Sequence, residues 1–226
     1  MSSSIHVEGA SVQELKDLAY TPNTYSIADS VQNVLSAKTE ALNGKPIITG
    51  AEALELTAPA PAPISFADMT FLAREVTSFP DNVPMAVKDN AQTLLAASDS
   101  NDESIRLALY DTDTLTFSSG SFVSISELRE FMGLKQFDLS HSTFELRDSS
   151  SNILGLLKSN ASDKSDILSE AQSLKLTDTS ATTFSVDDAT LLLSNNVAMP
   201  NGYKVSDIAS EIQGEVKSAS DIGALL

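Results

Sequence analysis

Cysteine is absent from this chain, which excludes disulfide frameworks, thiolate metal sites and cysteine nucleophiles. Tryptophan is absent too, and only 6% of residues are aromatic, so a core has to come mainly from Leu, Ile, Val and Ala. Positive charge is scarce: 14 Lys and Arg stand against 31 Asp and Glu, a formal net charge of −17. A surface of that sign repels phosphate backbones and anionic lipid, so neither a nucleic-acid partner nor membrane insertion is expected. No apolar run approaches the roughly 18 residues of a membrane span. The opening "MSSSIHVEGASVQEL" lacks a basic stretch followed by an apolar one. No Sec-type signal peptide is expected there, and an export signal is expected at the C-terminus or outside this chain.

What the chain does have is repetition. "YSIADSVQNVL" begins at Tyr25, "MAVKDNAQTLL" at Met85, "FELRDSSSNIL" at Phe144 and "YKVSDIASEIQ" at Tyr203, at intervals of 60, 59 and 59. Asp follows four positions after each start, at Asp29, Asp89, Asp148 and Asp207. A second phrase starts at Ile5, Ile64, Val123 and Phe184, and a third, of the form LxL or LxF, at Leu54, Leu115 and Leu174. Three phrases keeping one period define a repeat of about 59 residues, with units of approximately 5–63, 64–122, 123–183 and 184–226.

Each unit translates into a coarse structure. Pairs such as Ile64-x-Phe66 and Tyr25-x-Ile27 alternate in the manner of short strands with one buried face. The aspartates then stand where a helix begins, and Asp29, Asp89, Asp148 and Asp207 are expected as structural N-caps. Gln32 and Gln92, three residues beyond their aspartates, suggest capping boxes. The expected fold class is α/β: a solenoid of about four strand–helix–strand–helix–strand units, with short parallel strands and right-handed crossovers, forming a single repeat domain over 1–226. The alternative is an ordinary α/β domain built by duplication. "TAPAPAPI" (57–64) reads as a stiff loop within the repeat. Because the fourth unit stops before its LxL strand, the chain is expected to continue a longer array or to pair its open ends with other copies.

Candidate chemistry is thin. A residue returning at one place in every unit serves the unit, so no catalytic residue is assigned to the recurrent aspartates. "SDSNDES" (98–104) and "DTD" (111–113) put hard oxygen donors in loops, making Asp99, Asp102, Glu103, Asp111 and Asp113 weak Ca²⁺ candidates. They match neither the EF-hand spacing nor the Gly-rich calcium nonapeptide, and the whole chain holds 9 Gly. His6 and His141 fall in different units and make no zinc site by themselves. No phosphate loop or GxSxG occurs, and "SSGS" (118–121) reads as a plain turn.

The pattern carried by Tyr25–Leu35, Phe144–Leu154 and Leu174–Leu193 resembles repeat arrays of large, acidic, cysteine-poor surface or secreted proteins of Gram-negative bacteria, of the kind found in RTX-like adhesins. Many of these leave the cell by type I secretion. The resemblance implies an extracellular structural or adhesive module with no catalytic residue to carry over; self-association through the unit ends is expected, and no cofactor beyond Ca²⁺ at the acidic loops. The alternatives are a module binding a glycan or protein, a cytoplasmic location, or a toxin or enzyme with its site in the irregular segment 99–120.

Overall fold

Serine marks most of the points where this chain turns from strand to helix. Ser11, Ser30, Ser65, Ser124, Ser149 and Ser185 are N-caps, each accepting a hydrogen bond from the backbone N–H three residues on. An N-cap serine satisfies one of the helix's free N–H groups, a contribution of about 1 kcal/mol. Ser11 with Glu14 and Ser124 with Glu127 complete capping boxes. The computed structural model describes residues 6–18, 22–42, 44–76, 79–178, 182–199 and 203–206. Asp207 and most of the fourth phrase lie outside them.

Contacts within the chain divide it into two units, residues 1–116 with 136–138, and residues 117–135 with 139–226. The first holds β1 (His6–Ala10), α1 (Val12–Asp17), β2 (Thr24–Ser30), α2 (Val31–Ser36), β3 (Ala41–Leu42), β4 (Lys45–Pro46), β5 (Ala53–Ala58), α3 (Phe66–Glu75), β6 (Ala86–Asp89), α4 (Ala91–Ser98), α5 (Glu103–Tyr110) and β7 (Thr114–Phe117), whose last residue is counted with the second unit. β1, β2 and β5 form a parallel sheet in that order, β6 pairs with β7, and β3–β4 is a small antiparallel hairpin. Along β2 every second residue is buried, so Tyr25, Ile27 and Asp29 point inward. The Tyr25 hydroxyl donates to the Ile47 carbonyl at 2.9 Å. Gly50 leaves room for it, since a Cβ there would lie 2.8 Å from that hydroxyl and 2.5 Å from the Pro46 oxygen.

The second unit holds β8 (Ser121–Val123), α6 (Ile125–Met132), β9 (Phe144–Asp148), α7 (Ser150–Lys158), α8 (Lys164–Glu170), β10 (Ala171–Leu176), β11 (Thr183–Phe184), α9 (Val186–Ser194), β12 (Val197–Ala198) and β13 (Lys204–Val205). Its main sheet is parallel, in the order β12-β10-β9-β8, and β11 pairs parallel with β13. Three phenylalanines cluster here. Phe117 meets Phe131 edge-on at 4.9 Å between ring centroids and Phe144 at 6.1 Å. All three rings are buried. Among the described residues no helix is long and apolar enough to cross a membrane.

The structure is thus a mixed α/β fold with mostly parallel strands, and it moves several expected boundaries. The aspartates are not the N-caps. Asp89 and Asp148 end strands, Asp29 is the last but one residue of β2, and the caps are the next residues, Ser30, Asn90 and Ser149. Gln32 and Gln92 form no capping box; Gln32 reaches Ser36 instead. The alternation in Ile64-x-Phe66 and Val123-x-Ile125 is not wholly a strand. Its first residue pairs with a neighbouring strand, its middle residue is the serine cap, and its last opens the helix. By the same test the first unit's counterpart is Ala10–Ser11–Val12 and not Ile5-x-Val7. Serine caps therefore recur at intervals of 54, 59 and 61. The bulge in β1 falls just before that shortened interval, with Gly9 at φ 61°, a conformation glycine adopts without a Cβ penalty.

Candidate functional site

The recurrent aspartates bind backbone. Asp29 accepts from Val12 N–H at 2.9 Å, Ser30 N–H at 2.7 Å and the Asn33 amide at 2.8 Å. Asp148 repeats this with Ile125 N–H at 3.0 Å, Ser149 N–H at 2.8 Å and the Asn152 amide at 2.7 Å. Asp89 accepts from Phe66 N–H at 2.8 Å and Asn90 N–H at 2.7 Å. Val12, Phe66 and Ile125 are the first residues of α1, α3 and α6. Each carboxylate therefore holds the strand end it sits on to the free N–H of the helix before it. A negative charge is well placed there, at the positive end of the helix dipole. Asp178 makes the same contact with Ser150 N–H, the first residue of α7, at 2.7 Å. Nothing in the LxL phrase alone flagged Asp178. Asp207, the fourth expected cap, is outside the described residues.

The five calcium candidates separate. Asp102 is the N-cap of α5, accepting from Ser104 N–H at 2.9 Å and its hydroxyl at 2.6 Å, with Arg74 at 3.6 Å. Those serine bonds hold its carboxyl below the ordinary range. Asp99 is the C-cap of α4, and Glu103 lies in the first turn of α5. Asp111 follows the last residue of α5, about 12 Å along the axis from the other end. Only Asp111 and Asp113 meet, lining a cavity of about 200 Å³ with Asp81, Phe79, Pro80, Val83, Met85 and Tyr110. Burial, then the charge of Asp113, pushes the Asp111 carboxyl up. Asp113 is itself committed to Met85 N–H at 2.7 Å. Among the described residues no group of three or more His, Asp or Glu side chains forms a metal-binding cluster.

A second cavity, of about 410 Å³, lies in the first unit among α3, α4 and α5, walled by Phe66, Phe71, Ala97 and Ile105, with Arg74 among its lining residues. Its lining is mainly apolar, with Thr70 and Thr93 among it, and the Arg74 guanidinium donates to Ser104 at 3.0 Å. Among the described residues, His6 presents a string that resembles a relay. Its Nδ1 lies 2.8 Å from the Thr24 hydroxyl and 3.6 Å from a Glu52 carboxylate oxygen. Both neighbours address the same ring nitrogen, whereas a nucleophile–base–carboxylate relay needs one on each. His141 sits in the second unit, 3.1 Å from the hydroxyl of the adjacent Ser140. Comparison with known protein families, with curated proteins and with solved structures finds no match to this chain.

Proposed function

We propose that this chain is a non-enzymatic structural or adhesive repeat module of an extracellular or cell-surface protein, and that it self-associates. The proposal includes its architecture: four units of about 59 residues stacked as a solenoid with right-handed crossovers. The observation that carries it is the three-donor aspartate. The same carboxylate, on the same strand end, holds the same helix start in separate copies at Asp29 and Asp148, and with two of the three donors at Asp89. Chemistry on a substrate needs one asymmetric constellation, whereas joints between repeated elements need one geometry many times over. An acidic surface without cysteine suits an exposed setting. Sedimentation of the purified chain across a wide concentration range is expected to show oligomers growing with concentration; a strictly monomeric species throughout would remove the self-association.

The second reading is a ligand-binding module or a secreted enzyme working in the irregular segment 99–120. The cavity beside Tyr110, Asp111 and Asp113 favours it, with Tyr110 74% exposed at its edge. Loss of a measured binding or turnover in Tyr110→Ala would move the assignment there.

A further inference from the structure

The outward faces of the two parallel sheets carry opposite charge. In the first unit the solvent side of β1–β2–β5 shows Glu8 and Glu55, both exposed, and Glu55 stands in register beside Ala28. In the second unit the corresponding positions of β9 and β10 are Arg147 and Lys175, again in register with one another. Like charges on directly opposed strand positions destabilise a sheet. Glu145 offsets one of them, bonding to Arg147 at 3.0 Å. Its carboxyl is held below the ordinary range by that bond and by the charges of Arg147 and Lys175. Beside them Phe122, 39% exposed, lies under the Arg147 guanidinium at 4.3 Å from the ring centroid. The Arg147 Nε is buried with no hydrogen-bond partner. Arg147 and Lys175, side by side beside a half-exposed ring, leave this open sheet face a place for an anionic partner. In a chain of net charge −17, the complementary surface is close at hand.

We infer that the Phe122–Arg147–Lys175 face of the second unit docks on the Glu8–Glu55 face of the first unit in a second copy of this chain. The inference rests on the self-association reading and supplies its contact. The two faces are different patches, so the contact is heterologous; each copy keeps one face of each sign free and can extend the assembly. Exposed ion pairs contribute little individually, so the contact is weak for one pair of chains and gains strength where several copies are tethered together.

The test is light scattering on the wild type and two charge-reversed chains, Arg147→Glu with Lys175→Glu, and Glu8→Lys with Glu55→Lys. The wild type is expected to associate, and to lose association in 1 M salt, where screening acts within about 3 Å. Each variant alone is expected to associate at least about tenfold more weakly, and an equimolar mixture of the two to regain association. Regain in the mixture also shows that both variants fold. Wild-type oligomers that persist unchanged in both variants or in high salt would overturn the inference and leave self-association standing. A wild type monomeric at every concentration would remove both. Binding of an anionic polysaccharide to monomers, abolished by Arg147→Glu with Lys175→Glu, would overturn the second copy as occupant.

Discussion

Tyr25 in the first unit and Phe144 in the second occupy the same place, the first inward position of the strand that carries the three-donor aspartate near its end. Around Tyr25 the anchor is polar: the hydroxyl donates to the Ile47 carbonyl, and Gly50 is kept bare to admit it. Around Phe144 the anchor is an aromatic cluster closed by Phe117 and Phe131. The aspartate beyond is the same in both, down to the asparagine four residues later. The joint between elements is therefore held constant, while the filling between them is free to vary. A core position only needs volume and satisfied polar atoms; a helix terminus needs an acceptor at one point.

Breaking the aromatic anchor gives the largest effect. Phe144→Ala is expected to cost about 3–5 kcal/mol, the loss of a buried ring plus the cavity it leaves. In hydrogen exchange the amides of β8, β9 and β10 should lose protection. Tyr25→Phe, which removes only the hydroxyl and leaves the Ile47 carbonyl without it, is expected to cost about 1 kcal/mol in denaturant unfolding. A Tyr25→Phe loss as large as that of Phe144→Ala would mean that the hydroxyl, and not the ring, holds the first unit.

The constant part of the comparison has its own test. Asp148→Ala leaves two backbone N–H groups and an asparagine amide without their acceptor, an expected loss of about 3 kcal/mol. Asp29→Ala should match it, since its three donors are the same in kind. Ser149→Ala, which removes the actual N-cap of α7, is expected to cost about 1 kcal/mol. Equal losses for Asp148→Ala and Ser149→Ala in thermal unfolding would restore the aspartate to the role of simple cap.

That ordering also explains which parts of the fold the sequence made legible. Tyr25-x-Ile27 and Leu174-x-Leu176 are strands, because alternation over a buried face is a local property. The position of Asp29 was legible but its partner was not: the donor, Val12 N–H, lies 17 residues earlier, and backbone donors leave no residue signature. A serine between two apolar residues carries the same ambiguity, since Ile64–Ser65–Phe66 fits a strand or a cap equally well by pattern. The Ile5 phrase misled for a related reason. The bulge at Glu8–Gly9 and the shortened first interval shift the counterpart to Ala10–Ser11–Val12, with alanine in place of a large apolar residue. In the acidic segment the donors expected in loops are split by α5, which contains Glu103 and carries Asp102 and Asp111 at opposite ends.

Asp111 offers the smallest effect and a sign that differs from the other aspartates. Burial and the neighbouring Asp113 raise its carboxyl above the ordinary value in the folded chain. Between the unfolded and the raised folded pKa, the native state binds more protons than the unfolded one, so stability falls as pH rises through that window. Above it, ionised Asp111 is a standing penalty; below the unfolded value, near 3.9, the penalty is gone. Asp111→Asn should therefore stabilise the chain at pH 7, by within about 0.5 kcal/mol given its partial exposure, and the gain should vanish in melts near pH 3.5. Asp113→Asn also removes the repulsion, but it weakens the acceptor for Met85 N–H, so its net effect at pH 7 is expected to be destabilising. Opposite signs for two aspartates two residues apart would separate a carboxylate that the fold uses from one that it only tolerates.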